Sequence, residues 1–158
     1  MEEDWSFAVR RLGPGDIAPM RALIALFGAV FGEPEAYAAK PPRDIYLERL
    51  LGDKRFVALV AAEGREVIGG LAGYELVKFE QERSEFYIYD LAVRADRRRL
   101  GVATALIAEL RGIGARAGAE VVFVQADHGD DPAIALYSKL GRREEVLHFD
   151  IPTVQSSN

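Results

Sequence analysis

The chain has 158 residues, 49% of them apolar, and a net charge of −5; this fits one compact domain with a real core and excludes disorder or a fibre. With no cysteine and two histidines, His128 and His148, it excludes disulfides, thiolate metal sites, acyl-cysteine chemistry and a histidine-rich metal centre. The acidic balance argues against nucleic acid, and the longest apolar runs, such as Phe56 to Ala62, are far too short to span a membrane.

Phe7 to Leu12 alternates and reads as a strand, followed by a turn at Gly13-Pro14-Gly15. Asp16 caps a helix running to about Phe31, with Met20, Ile24, Phe27 and Phe31 at three- and four-residue spacing. Pro41-Pro42 breaks the chain, and Asp44 to Leu51 reads as a second helix. Phe56 to Ala62 and Val67 to Val77 are strands joined by a hairpin turn at Glu63-Gly64-Arg65. After a polar loop, Phe86 to Val93 is a strand, and Gly101 to about Ala117 a helix striped by Val102, Leu106, Leu110 and Ile113. Val121 to Ala126 is a strand and Asp127 to Asp130 a loop. Asp131 caps a helix with Pro132 in its first turn, and Gly141 ends it after Leu140. Glu145 to Phe149 reads as a last strand, and Pro152 to Asn158 as a fraying tail. The order β-α-α-β-β-β-α-β-α-β, with hairpins beside crossovers, gives an α/β fold: a mixed sheet with helices on both faces, in one domain over residues 1–151. No secretory signal is expected, which points to the cytoplasm.

Charge is segregated. Arg94, Arg97, Arg98 and Arg99 form one basic knot, and acids flank it: Glu80, Glu82, Glu85 and Asp90 before, Asp127, Asp130 and Asp131 after, then Glu144, Glu145 and Asp150. Such runs are either ordinary solvated faces or sites for an anion and a cation. At the knot a strand ends, an arginine-rich turn follows, and a helix opens at Gly101-x-Ala103. A helix start leaves N–H groups unpaired, and small residues let a pyrophosphate approach them. The turn has neither the three glycines of a dinucleotide fingerprint nor the Gly-Lys-Ser/Thr of a P-loop. A basic loop that simply closes onto a helix is the structural alternative.

Arg98-x-x-Gly101-x-Ala103 after an apolar strand resembles the acetyl-CoA pyrophosphate motif of the GNAT acetyltransferases, and Ala133-Ile134-Ala135-Leu136-Tyr137-Ser138-Lys139-Leu140-Gly141 resembles their second motif. The segments Lys78 to Gln81, Arg83 to Glu85, Tyr87 to Val93, Val124 to Pro132 and Arg143 to Asp150 are similar to the class I aminoglycoside 3-N-acetyltransferases. The resemblance covers about Phe7 to Phe149. It implies the GNAT fold, with a mostly antiparallel sheet and a splayed strand pair for acetyl-CoA. It also implies acetyl transfer to the 3-amino group of gentamicin-like antibiotics in a ternary complex, resistance as the outcome, and a homodimer.

Residue by residue, the resemblance implies that Leu91, Ala92 and Val93 pair with the pantetheine arm, one N–H polarising the thioester carbonyl. Arg98, Arg99, Leu100, Gly101, Val102, Ala103 and Thr104 would hold the pyrophosphate. Tyr137 would protonate the leaving thiolate, the structural alternative being a core aromatic. Two departures stand out: Asp130 replaces the asparagine of many members, and Gly141-Arg142 replaces Gly-Phe. A polycationic acceptor calls for carboxylates, here Asp90, Asp127, Asp130 and Asp150, with Glu80 and Glu85 as second choices. Its amine, titrating near ~10, must lose a proton first. Asp90 is the candidate, either as base or as substrate anchor. Tyr74, Tyr87 and Tyr89 are pocket walls or core. His128 is a proton relay or merely solvated, and His148 is structural. A polyamine or peptide amine as acceptor, and a non-catalytic acyl-CoA-binding module, are the competing functions.

Overall fold

The computed structural model describes residues 6–154. They group into two compact units, which divide between Gln125 and Ala126. The first holds β1 (Ala8–Arg11), α1 (Ile17–Val30), α2 (Pro34–Ala38), α3 (Asp44–Gly52), β2 (Phe56–Glu63), β3 (Glu66–Val77), β4 (Ser84–Val93), α4 (Val102–Ala117) and β5 (Ala119–Val124). The second holds α5 (Asp131–Leu140). Among the described residues no helix is long and apolar enough to cross a membrane.

The sheet runs β1-β2-β3-β4-β5. Its first three pairings are antiparallel, and β4 pairs β5 in parallel. A two-residue turn after Glu63, with Gly64 at φ 58, closes the β2–β3 hairpin, as the sequence predicts. The near-continuous apolar run of β2 follows from burial on both faces. Phe56, Ala58 and Val60 join Met20, Leu23 and Phe27 of α1 and Leu47 and Leu51 of α3 in one core cluster. On α4, Val102, Leu106, Leu110 and Ile113 are all buried.

Two adjacent glycines of β3 show how close the helices lie. A Cβ on Gly70 would fall 2.1 Å from a Leu23 methyl on α1, and one on Gly69 would fall 2.9 Å from Val102 on α4. Consecutive strand residues point to opposite faces, so α1 and α4 cover opposite sides of the sheet, as expected.

Four local expectations change. Asp16 precedes α1, but its carboxylate does not cap the helix; it accepts the Gly13 N–H at 2.7 Å and pairs with Arg10 at 3.1 Å, closing the preceding turn instead. Asp130, rather than Asp131, caps α5 by accepting the Ala133 N–H at 3.4 Å, while Asp131 sits in the first turn before Pro132. The short helix α2, absent from the sequence reading, starts at Pro34 and is tied to α1 by Glu33 N–H donating to Gly28 at 2.9 Å. The strand expected over Glu145–Phe149 is not formed: no ladder among the described residues includes it, and Val146, Leu147 and Phe149 are 69%, 83% and 75% exposed. Apolar alternation does not make a strand without a pairing partner. Of the expected tail, Pro152–Val154 is exposed, and residues 155–158 lie outside the described residues.

Gly70→Ala is expected to cost about 2 kcal/mol, as overpacked cores do, because Leu23 is fully buried and has little room to yield. Urea unfolding checks this; a wild-type midpoint would refute the close approach.

Candidate active site

β4 and β5 pair from Ser84↔Ala119 to Ile88↔Val124 and then part, while β4 continues through Tyr89, Asp90, Leu91 and Ala92 to Val93. On its other side β4 stays paired with β3 up to Gly69↔Val93. The Arg94 N–H donates to Ile68 on the β3 side at 2.8 Å. Backbone polar groups alternate between the two edges of a strand, so those of Ala92 face β3 and those of Leu91 and Val93 face the edge that β5 has left.

A bulge sits at the same place. Ala72 faces Asp90 and Gly73 faces Ile88, which leaves Tyr89 as the extra residue on β4. The bare Gly73 permits it, since a Cβ there would lie 2.9 Å from the Tyr87 carbonyl oxygen. The bulge brings Tyr89 and Asp90 to the same side. The Tyr37 hydroxyl donates to Asp90 Oδ2 at 3.5 Å, and the Tyr89 ring meets Tyr74 edge-on at 6.1 Å and Tyr87 at 6.0 Å. Tyr87 stacks on Phe123 at 4.8 Å and donates to Gln125 at 2.9 Å. Tyr46 of α3 acts electrostatically on Tyr74. The result is one half-buried carboxylate ringed by phenols. Burial raises the Asp90 carboxyl above its ordinary range, and the Tyr37 hydrogen bond pulls back part of that shift.

Beyond β4 the four arginines divide. Arg94 pairs with Glu66 and Asp96, and Arg97 with Glu63 and Asp96. Among the described residues Arg98 and Arg99 pair with no acid, and both are exposed. Arg99 and Gly101 take left-handed φ values of 64 and 80. Among the described residues no side chain caps α4, so the first-turn amides of Val102, Ala103 and Thr104 keep their donors free. Free donors with two exposed arginines, and a half-buried carboxylate, thus lie at the two ends of one open stretch of β4.

The acetyltransferase (GNAT) family pattern matches residues 21–141. The chain belongs to the GNAT acetyltransferase family. An aminoglycoside acetyltransferase from an uncultured soil metagenomic sample is 57% identical, over 94% of this chain and 99% of its own, with a TM-score of 0.92. A second, also from an uncultured soil metagenomic sample, is 33% identical over 94% of this chain and 97% of its own. Its TM-score is 0.86 in complex with trehalose and 0.85 in complex with sisomicin. No curated protein matches the sequence.

GNAT acetyltransferases use acetyl-CoA. The residues present fit it: free first-turn amides and unpaired Arg98 and Arg99 suit a diphosphate, and the open Leu91 and Val93 edge suits an amide-bearing arm. Of the acids expected for the acceptor, Glu80 and Glu85 are not gathered with Asp90. Both pair with Arg83, at 3.2 and 3.4 Å, as does Glu120.

The other candidates lie in the second unit. Asp130 caps α5, and its own N–H donates to the Asp127 carbonyl at 3.2 Å. Asp150 pairs with His148 at 2.9 Å, and His128 is exposed. Burial, and then the Asp130 charge, raise the Tyr137 phenol, so it keeps its proton at neutral pH. Tyr37 and Tyr46 were not legible as site residues. The signals present were Pro34 as a helix opener and Gly73 inside a strand, which marks a bulge.

The folded pKa of Asp90 lies above its unfolded value, so its ionised form costs stability. That cost is absent below the unfolded pKa and complete above the folded one. Asp90→Asn is therefore expected to raise Tm near neutral pH, with the gain vanishing towards about pH 4. Thermal melts across that range check it; an unchanged or lowered Tm at neutral pH would contradict it.

Proposed function

We propose that this protein transfers acetyl from acetyl-CoA to an amine of aminoglycoside antibiotics, at the 3-amino group of gentamicin-like compounds, and so confers resistance. The observation that carries the reading is the half-buried Asp90 beside the unpaired edge of β4, ringed by Tyr37, Tyr74, Tyr87 and Tyr89. An ammonium-bearing sugar matches it: the carboxylate takes the charge, and phenol faces suit cations and sugar rings. The 57% and 33% identical relatives, one of them in complex with sisomicin, support the same acceptor class.

When bound, acetyl-CoA supplies an activated acetyl thioester. The amides of Val102, Ala103 and Thr104, with Arg98, Arg99, Leu100 and Gly101, hold the diphosphate. Leu91 and Val93 offer their N–H groups along the open edge, and one of them stabilises the carbonyl oxygen as negative charge develops on it. Asp90 takes the proton from the acceptor ammonium. Tyr137 would hold the proton that the departing thiolate takes up once the freed amine has accepted the acetyl group. Asp127, Asp130 and Asp150 attract the remaining ammonium groups. Residues 1–151 are assigned to one catalytic domain, and the protein to the cytoplasm as a homodimer.

CoA release with gentamicin-type compounds, spermidine and peptides, followed by NMR location of the acetyl group, tests this. Release with gentamicin and acetylation at the 3-amino group are expected. Release with spermidine or peptides alone would overturn the acceptor class, and none with any amine would leave an acyl-CoA-binding module. Asp90→Asn is expected to lower kcat at least ~100-fold, a usual share for proton transfer, with unchanged acetyl-CoA affinity. Calorimetry of Arg98→Ala should show acetyl-CoA affinity about tenfold weaker, the loss of one charge-assisted contact.

A further inference from the structure

Tyr37 lies outside every motif that carries the family resemblance, yet several residues are committed to placing it. A Cβ on Gly28 would come within 3.1 Å of the Tyr37 Cβ and 3.2 Å of the Pro34 Cα, so the bare backbone of α1 lets α2 lie against it. The Phe31 ring flanks that of Tyr37 at 6.3 Å and is itself stacked on Phe27 at 5.8 Å. From this seat the phenol reaches a carboxylate 53 residues away in sequence.

We propose that Tyr37 is a positioning residue for Asp90: its O–H engages Oδ2, fixes the carboxylate's rotamer, and leaves Oδ1 to receive the proton of the substrate ammonium. This rests on the reading of Asp90 as proton acceptor. The hydroxyl donates at 3.5 Å, a long contact of the kind that tightens when a substrate excludes water. The ionisable groups facing Asp90 are the phenols of Tyr37, Tyr74, Tyr87 and Tyr89, with Glu33 acting on Tyr37 and Tyr46 on Tyr74. Among the described residues no cation pairs with Asp90, so the Tyr37 hydroxyl is what offsets the burial of its charge. Without that hydroxyl, burial acts unopposed, and the carboxyl holds its proton to higher pH.

Tyr37→Phe keeps the ring and its packing and removes only the donor. In the free protein, carbon-13 NMR of the aspartate carboxyls should show Asp90 titrating about half a pH unit higher. The acid limb of kcat/KM for the amine should move up equally, with acetyl-CoA affinity unchanged and Tm unchanged towards about pH 4 but slightly lowered at neutral pH, where the ionised carboxylate has lost its donor. Gly28→Ala, which pushes α2 outward with the hydroxyl intact, should shift Asp90 the same way. An Asp90 that titrates identically in wild type and both variants overturns the proposal. An NMR shift without turnover on any amine would support the Tyr37–Asp90 contact and sink the enzymatic reading instead.

Discussion

A single interrupted ladder shapes this molecule. β4 and β5 stop pairing at Ile88 and Val124, and β4 runs on to Val93 with one edge bare. Unpaired backbone groups are costly when buried and a liability when exposed. They are tolerable here because β3 holds the other edge of β4 on both sides of the Tyr89 bulge, so the strand keeps its place without its neighbour. The open N–H groups of Leu91 and Val93 therefore stand in fixed directions, and a ligand that supplies acceptors meets donors already ordered. The same strand feeds the turn at Arg98–Gly101 and the uncapped start of α4, so backbone amides form both contact surfaces.

The bulge beside the break decides what the strand's side chains do. Without an extra residue at Tyr89, Tyr89 and Asp90 would point to opposite faces. With it, both face the phenols of α2 and β3. A carboxylate enclosed by aromatic rings loses hydration without gaining a counter-charge, and the raised Asp90 carboxyl is the consequence. Glu85, on the same strand, is also largely enclosed but lies against Arg83. Burial beside a guanidinium yields an ion pair; burial beside phenols yields a carboxyl that holds its proton to higher pH.

Elements whose signal is local were legible in the sequence. The β2–β3 hairpin follows from Gly64, α4 from its apolar stripe, and the start of α4 from Gly101 at a strand-to-helix turn. What depends on distant partners was not. Arg94, Arg97, Arg98 and Arg99 read as one cluster, but Glu63 and Glu66 at the hairpin turn take two of them, and only the sheet register brings those acids near. That Glu80 and Glu85 share Arg83 was not legible either, because a charge run does not reveal its own counter-ion. Tyr37 meets Asp90 through a fold contact that no local pattern announces. The last strand failed for the opposite reason: its alternation is local, but a strand also needs a neighbour.

The division of the arginines settles an electrostatic conflict within the site. A diphosphate needs positive charge, and an ammonium-bearing acceptor is repelled by it. From Asp90 to Val93 is about 10 Å of strand, near one Debye length at physiological salt, so four unpaired arginines beyond Val93 would oppose the cation that Asp90 attracts. Between Asp90 and Arg98 the chain carries Leu91, Ala92 and Val93, which are neutral. Arg94 and Arg97 follow, each held against carboxylates of Glu63, Glu66 and Asp96. Positive charge is thus cancelled nearest the carboxylate and left free where α4 begins. The ion pairs around Asp96 remove net positive charge from the stretch next to Asp90 and leave it at Arg98 and Arg99, the separation that the proposed transfer between a phosphate-bearing donor and a cationic acceptor requires.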